Sequence, residues 1–342
     1  MKAAALVGPG RIAIIERPDP WPVCDGKVLL AVRMVGICGS DVHYFETGRI
    51  GDAQVCYPFV LGHEFAAEVL AVGPGVDQPK VGDIVAVDPA MPCHACDQCN
   101  SGRFNTCRNL RFLGCPGQAE GCLCELILMP SECCYRVPRS FSLEQIVLTE
   151  PLAIAVHATR LAGLEPGMDI AIPGAGPIGL CCLQVARAIG ARCCLVAEPI
   201  EQRALAARNH GADWAGSPAE LGNAVASLAP GGVHVVLEAA GQQEAIDRGL
   251  QVLRPGGVLG IIGIPRTDRI WIDAHKARRQ EVRIVNVRRQ NLCTQQAIDM
   301  IQQGTVEVDF MATHRFSLEQ SQDAFELVAG YRHGVIKAMV CI

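Results

Sequence analysis

The 342-residue sequence has little of what marks a disordered, fibrous, nucleic-acid-binding or membrane-spanning chain. Only 19% of its residues are charged, while half are hydrophobic. That excludes disorder and collagen-like repeats and allows sizeable buried cores. Neither sign of charge dominates, with 30 Lys and Arg against 35 Asp and Glu and a net charge of -5. No nucleic acid and no membrane surface is therefore expected as a partner. No stretch of about 18 apolar residues occurs; the best candidate, 178–191, is broken by Gln184 and Arg187. After Lys2 the apolar run 3–7 ends at Gly8-Pro9-Gly10. It is too short for a signal-peptide core, so a cytoplasmic location is expected. Internal repeats and low-complexity linkers are also missing. Cysteine is the exception, with 18 residues in 342. In a short secreted chain that content would read as a disulfide framework. In a chain this long it points to reduced thiols, some of which bind metal.

At roughly 150 residues per domain the length suggests two domains. The first 150 residues read as short strands, such as 27–34, 65–72 and 83–87, between Gly- and Pro-rich turns, a β-rich and barrel-like pattern. The character changes near Thr149. A helical spacing covers 151–161, and then strands and helices alternate: strand Asp169–Pro173, helix Pro177–Ile189, strand 192–197, helix Glu201–Asn209, strand Val233–Glu238, helix 243–253 and strand 257–261. This order predicts right-handed βαβ units and a doubly wound parallel sheet. Helical patterns at 294–303 and 318–328 and a strand at 334–341 close the chain. The α/β block thus appears inserted into a first domain that the C-terminal segment completes, with boundaries at 1–148 plus 287–342 and at 149–286.

A first chemical motif is Gly174-Ala175-Gly176-Pro177-Ile178-Gly179. Chance alone would supply about 0.4 such glycine patterns here, and a decoy, Gly8-Pro9-Gly10 followed by Ala13, lies in an N-terminal hairpin with no helix after it. Context distinguishes the second motif. It follows a strand, opens a helix, and has Glu198 about twenty residues later at the end of the next strand. Gly174 permits the tight turn, Gly176 lets backbone approach a pyrophosphate, and Gly179 lets helix pack on strand. A pyrophosphate is favoured at the helix N-terminus by free N–H groups and the helix dipole. Glu198 would accept hydrogen bonds from the adenosine ribose and repel a 2′-phosphate, so NAD is expected rather than NADP. Arg203 is a further expected cofactor contact. The bland alternative is a structural glycine turn.

A second motif is Cys93-x2-Cys96-x2-Cys99-x7-Cys107. Four cysteines at one preset spacing would arise with a probability of about 0.003. Thiolates this close in a loop suit tetrahedral zinc with no open position, hence a structural site; free thiols or redox pairs are the alternatives. His94 lies inside the loop but is not needed as a ligand. A third signal is dispersed: Cys38 in Gly36-Ile37-Cys38-Gly39-Ser40-Asp41-Val42-His43, and His63-Glu64 after Gly62. It is not the helical zinc-protease motif, because Ala67 stands where the second histidine is needed. Spacing alone does not show that Cys38 and His63 meet.

Together these motifs make the chain resemble the zinc-dependent medium-chain dehydrogenases over essentially its whole length. It is most similar to their polyol branch, the sorbitol, xylitol and related dehydrogenases. The stretches that carry the likeness are GICGSDVHYFETGRIG (36–51), PFVLGHE (58–64), TEPLAIAVHA (149–158) and THRFSLEQSQDAFE (313–326). The resemblance implies an α/β fold with a GroES-like β-rich catalytic domain and a Rossmann domain, a tetramer or dimer of identical chains, and two zinc ions per chain. Cys38, His63 and a carboxylate are implied ligands of a catalytic zinc, with Glu64 and Glu150 both in its site. Glu150 stands where alcohol dehydrogenases of the simple type carry cysteine, which favours a polyol substrate. Asp41 is implied to orient the histidine, Ser40 to contact the substrate alcohol, and His43 to relay its proton. Tyr44, Phe112, Arg288 and Glu150 match positions lining the substrate pocket.

Three residues depart from that pattern. Ala67 replaces a usual glycine, Cys115 replaces a threonine beside the pocket, and Arg289 replaces a tyrosine. The last two leave the particular polyol open. The intact four-cysteine loop differs from animal sorbitol dehydrogenases and implies a bacterial source. The competing expectations are the same chemistry on L-threonine, a butanediol or another secondary alcohol, and a non-catalytic zinc- and NAD-binding redox sensor.

Overall fold

The structure, a computed structural model, describes residues 1–342 and separates them into two compact units. The first comprises 1–150, 297–302 and 311–342, and the second 151–296 and 303–310. Residues 287–296 and 303–310, expected with the first domain, thus cluster with the second, and 149–150, expected with the second, cluster with the first.

The first unit is built on the ten-residue strand Lys27–Gly36. Strand Glu64–Val72 flanks it on one side, and Lys337–Cys341 and Leu126–Pro130 also pair with it, all antiparallel. Ile84–Val87 and Cys134–Arg136 extend the sheet beyond Glu64–Val72, and Ala312–Ser317 runs parallel to Lys337–Cys341. Every position of Lys27–Gly36 except Lys27 and Arg33 is buried, because the strand is covered on both faces. Leu6, Leu30, Phe65, Met129 and Phe325 fill the resulting core. At the end of this strand Gly36 lies opposite Glu64 on one neighbour and Met339 on the other. The decoy glycines form the turn of the hairpin between Lys2–Gly8 and Arg11–Glu16, with no helix following.

In the second unit six parallel strands stand in the order Trp214–Gly216, Cys193–Ala197, Asp169–Pro173, Val233–Glu238, Leu253–Ile261, Arg283–Asn286. Numbered along the chain this is 3-2-1-4-5-6, the order of a dinucleotide-binding sheet with its switch point beside Asp169–Pro173. Its inner strands read as continuous apolar runs because helices cover both faces. Lys276, Arg278 and Arg279 lie on the short helix Ala274–Arg279, opened by Asp273, whose side chain accepts from the Lys276 N–H at 3.0 Å.

Two expectations need correction. The helix predicted over 151–161 runs from Leu143 to Ala162 with Pro151 inside it. Proline reads as a helix start, and an interior proline costs about 3 kcal/mol. Here Ile146, Val147, Leu148 and Leu152 are all buried. At about 1.5–3 kcal/mol each, their burial outweighs that cost. The cysteines outside the metal groups, which as small apolar side chains are expected in a core, are buried except for Cys24, Cys56 and Cys341. Those three occupy a turn, a loop and the end of the last strand, where no second layer covers them.

Candidate active site and metal centres

Cys38 lies where strand Lys27–Gly36 hands over to helix Gly39–Thr47, as the N-cap of that helix. Its backbone N–H donates to Asp41 Oδ2 at 3.1 Å. Asp41 is buried, and its other oxygen accepts from the Gly62 N–H at 3.2 Å and lies 3.5 Å from His63 Nδ1. One carboxylate therefore ties the helix start to the Gly62–His63 backbone and turns the imidazole so that Nε2 is left as a ligand atom. Burial works against a charged His63, but Asp41 and Cys38 together hold its pKa well above the ordinary value. The Cys38 sulfur, a His63 nitrogen and a Glu64 oxygen all lie within 4.8 Å of one another.

Glu150, on helix Leu143–Ala162, faces the same group. Burial pushes its carboxyl up to about 8, against the pull of His63. Glu64 Oε1 and Glu150 Oε2 are buried without a hydrogen-bond partner. Orphaned carboxylate oxygens are costly unless a cation or donor meets them. Thiolate, imidazole and carboxylate are also a donor set zinc accepts, so the residues fit a zinc ion.

Around this group the Phe112 ring lies 5.4 Å from the His63 ring, and Tyr44 Oη is 3.9 Å from Cys115 Sγ, with all three side chains buried. Ser40, His43 and Tyr44 follow Cys38 on one helix, and the i+3 and i+4 spacing from Ser40 puts them on one face. Every expected metal and substrate residue except Arg288 belongs to the first unit. That arginine is exposed, follows strand Arg283–Asn286, and belongs to the second unit.

The three glycines of the motif stand in different surroundings. Gly174 has φ +102°, a backbone shape that side chains disfavour, and a Cβ on Gly179 would collide with the Gly174 carbonyl. Gly176 faces open space, its nearest neighbour being Arg203 Nη1 at 3.9 Å from where a Cβ would sit. That space lies at the N-cap of helix Pro177–Ile189, whose proline at the first position has no N–H to leave unpaired. Glu198 is buried and holds the loop: Oε2 accepts from the Ala175 N–H at 2.7 Å and Oε1 from the Ile200 N–H at 3.0 Å. A carboxylate oxygen can accept twice, so ribose hydroxyls retain acceptors there.

In the four-cysteine loop Cys93, Cys96, Cys99 and Cys107 have sulfurs all within 4.8 Å of one another. Individual Sγ–Sγ separations are 3.4 Å (Cys93–Cys107), 3.6 Å (Cys96–Cys99) and 3.9 Å (Cys96–Cys107). A tetrahedron of sulfurs at zinc's bond length has edges of about 3.8 Å, whereas a disulfide is about 2 Å. The cluster fits a metal ion and not a redox pair. The Ala95 N–H, the Cys107 thiol and the Cys96 N–H hold Cys93 down to about 6, which favours its ligating thiolate form. His94 turns away, with Nε2 3.0 Å from Glu132.

Comparison with known proteins agrees with this geometry. The family model for the alcohol dehydrogenase GroES-like domain matches residues 24–139, and that for zinc-binding dehydrogenase matches 177–303. The chain is 37% identical to the sorbitol dehydrogenase of Bacillus subtilis over 99% of its own length and 97% of that protein. The chain belongs to the zinc-binding alcohol dehydrogenase family. A probable D-xylulose reductase A of Aspergillus clavatus is 35% identical over 94% of this dehydrogenase and 92% of that protein. A solved Escherichia coli structure, an oxidoreductase/dehydrogenase of unknown specificity involved in membrane biogenesis, superposes with a TM-score of 0.94 at 32% identity. It covers 100% of this chain and 99% of that one. The family membership makes this protein a zinc-dependent alcohol or polyol dehydrogenase. No helix of this dehydrogenase is long and apolar enough to cross a membrane.

One buried charge beside these residues is not signalled by any motif. Lys337 is 2% exposed, and its Nζ donates to Glu64 Oε2 at 2.6 Å and to the Ile37 carbonyl at 3.1 Å. The one trace in the sequence is a lone lysine within the apolar run Val335-Ile336-Lys337-Ala338-Met339-Val340. A charge in such a run needs a buried partner.

Proposed function

We propose that this dehydrogenase oxidises one secondary hydroxyl of a small sorbitol- or xylitol-like polyol to the ketose, with NAD as the hydride acceptor. The observation that carries the reading is the second carboxylate, Glu150, buried in the Cys38–His63–Glu64 group with an unpartnered oxygen. A polyol brings vicinal hydroxyls that donate to such an oxygen; a simple alcohol does not. The likeness to a sorbitol dehydrogenase and a D-xylulose reductase supports the same class.

Cys38, His63 and a carboxylate from Glu64 or Glu150 would hold the catalytic zinc, and Cys93, Cys96, Cys99 and Cys107 the structural one. The catalytic ion, when bound, supplies Lewis acidity that lowers the pKa of a substrate hydroxyl. Ser40 accepts that hydroxyl's proton and passes its own towards His43, one helical turn along, and so to water. NAD, when bound at the glycine loop, would supply a two-electron acceptor for the carbinol hydrogen, the overall balance being alcohol and NAD⁺ to ketose, NADH and one proton. Tyr44, Phe112 and Cys115 wall the pocket, and Glu150 orients the remaining hydroxyls; Arg288, in the second unit, is the further expected substrate contact.

A panel of polyols, L-threonine, 2,3-butanediol and a simple secondary alcohol, followed by NADH absorbance, tests the substrate class. Sorbitol- or xylitol-like compounds are expected to give the highest kcat/KM. Turnover of threonine or butanediol with none on polyols would replace the reading. For the cofactor, Glu198→Ala is expected to weaken NAD about 10- to 100-fold, the equivalent of one or two charge-assisted hydrogen bonds. It should also narrow the NAD-to-NADP ratio of kcat/KM; an unchanged ratio would place the ribose contact elsewhere.

A further inference from the structure

A lysine sealed from water is destabilising unless its charge is matched and its donors are used. Lys337 satisfies both conditions at one place, the Glu64 carboxylate, with the Ile37 carbonyl as a second acceptor. We propose that Lys337 is a positioning residue for the catalytic metal. Its ammonium clamps Glu64 Oε2 so that Oε1 is presented to the Cys38 and His63 donor atoms. The proposal rests on the reading of Cys38, His63 and Glu64 as metal ligands.

Three observations support it. First, the two oxygens of Glu64 are treated differently: Oε2 is bonded to Lys337, whereas Oε1 is buried with no partner. A carboxylate free to rotate would not distinguish them; a clamped one offers a single oxygen in a fixed direction. Second, the backbone is shaped for the clamp. Gly36 stands between Glu64 and strand Lys337–Cys341 in the sheet register. A Cβ on Gly36 would sit 2.6 Å from Glu64 Oε2, 2.8 Å from Val147 Cγ1 and 3.5 Å from Lys337 Cδ. Glycine is what leaves room for the lysine arm and the carboxylate to meet. Third, both partners are sealed from water, with Lys337 at 2% and Glu64 at 0% exposure, so no solvent competes for the ammonium and the carboxylate keeps one orientation.

The role predicts a metal phenotype distinct from loss of fold. The zinc-loaded protein would be mixed with excess chromophoric chelator and release of the more labile ion timed; the Co(II)-substituted protein would report ligand geometry by its visible absorption. Lys337→Met is expected to release that ion about 10- to 100-fold faster, the usual effect of removing a group that orients a ligand, and to shift the cobalt bands. Lys337→Arg, which keeps the charge, should recover most of the retention. In a Glu64→Gln background Lys337→Met should add little, because the lysine acts through that carboxylate. Wild-type release and spectrum in Lys337→Met, or additive effects in the double variant, would overturn the proposal. Should Lys337→Met not fold, Gly36→Ala displaces the same carboxylate and is expected to show the same faster release; unaltered release there overturns it equally. Cys38→Ala serves as the reference. If it keeps both ions, the metal-site reading itself fails; if it loses one while Lys337→Met keeps both firmly, only the clamp fails.

Discussion

Replacing Cys38 with alanine is expected to lower the zinc content from two ions per chain to one and to abolish turnover. The thiolate is one of three donor types gathered within 4.8 Å, and no other cysteine belongs to that group. Loss of Lewis acidity removes several kcal/mol of stabilisation of the developing alkoxide charge, about 10³-fold or more in kcat. NADH binding should persist, because the glycine loop, Glu198 and Arg203 lie in the other unit. Metal analysis and fluorescence titration with NADH check the two halves of this expectation. Retained turnover with one zinc fewer would mean that the chemistry does not use this centre.

Cys107→Ser is expected to remove the other ion, with a different consequence. The loop from Cys93 to Cys107 holds only a four-residue helix, Asp97–Asn100, and the single 3-10 turn Phe104–Thr106. Neither is long enough to persist unaided. Within 93–107 the buried side chains are Cys99, Asn105 and Cys107, so little apolar packing holds the lobe. The Arg108–Asp97 ion pair is exposed and contributes little. Metal binding contributes on the order of 10 kcal/mol to small zinc-dependent folds. Without it the lobe should open to limited proteolysis at 93–110 while the rest of the chain stays resistant. A protease-resistant loop at one zinc per chain would show that hydrogen bonds alone fix it.

The two centres also differ in how far the sequence reveals them. The four-cysteine loop is local, so its spacing nearly specifies its geometry. Cys38 and His63 are 25 residues apart and meet only because Asp41 bonds to both segments, a tertiary fact that no spacing encodes. The parallel sheet was legible because its strands are apolar throughout and alternate with amphipathic helices. The start of helix Leu143–Ala162 was hidden by Pro151, whose local preference is overruled by packing. Strand Trp214–Gly216 and helix Leu221–Leu228 are too short to produce a periodic signal. Lys337 was invisible for a deeper reason: a lysine is ordinarily exposed, and its partner lies 273 residues earlier.

That separation bears on the order in which the protein can be made. The second unit closes with residue 310, and all its strands precede residue 287. The first unit receives its strand Lys337–Cys341 only after the whole of the second unit has been synthesised. On a nascent chain the nucleotide-binding sheet can therefore assemble while the metal site still lacks Lys337. Glu64 waits in a partly open sheet while the 273 residues up to Lys337 are added. A product terminated before residue 337 could therefore hold nucleotide without completing the metal site.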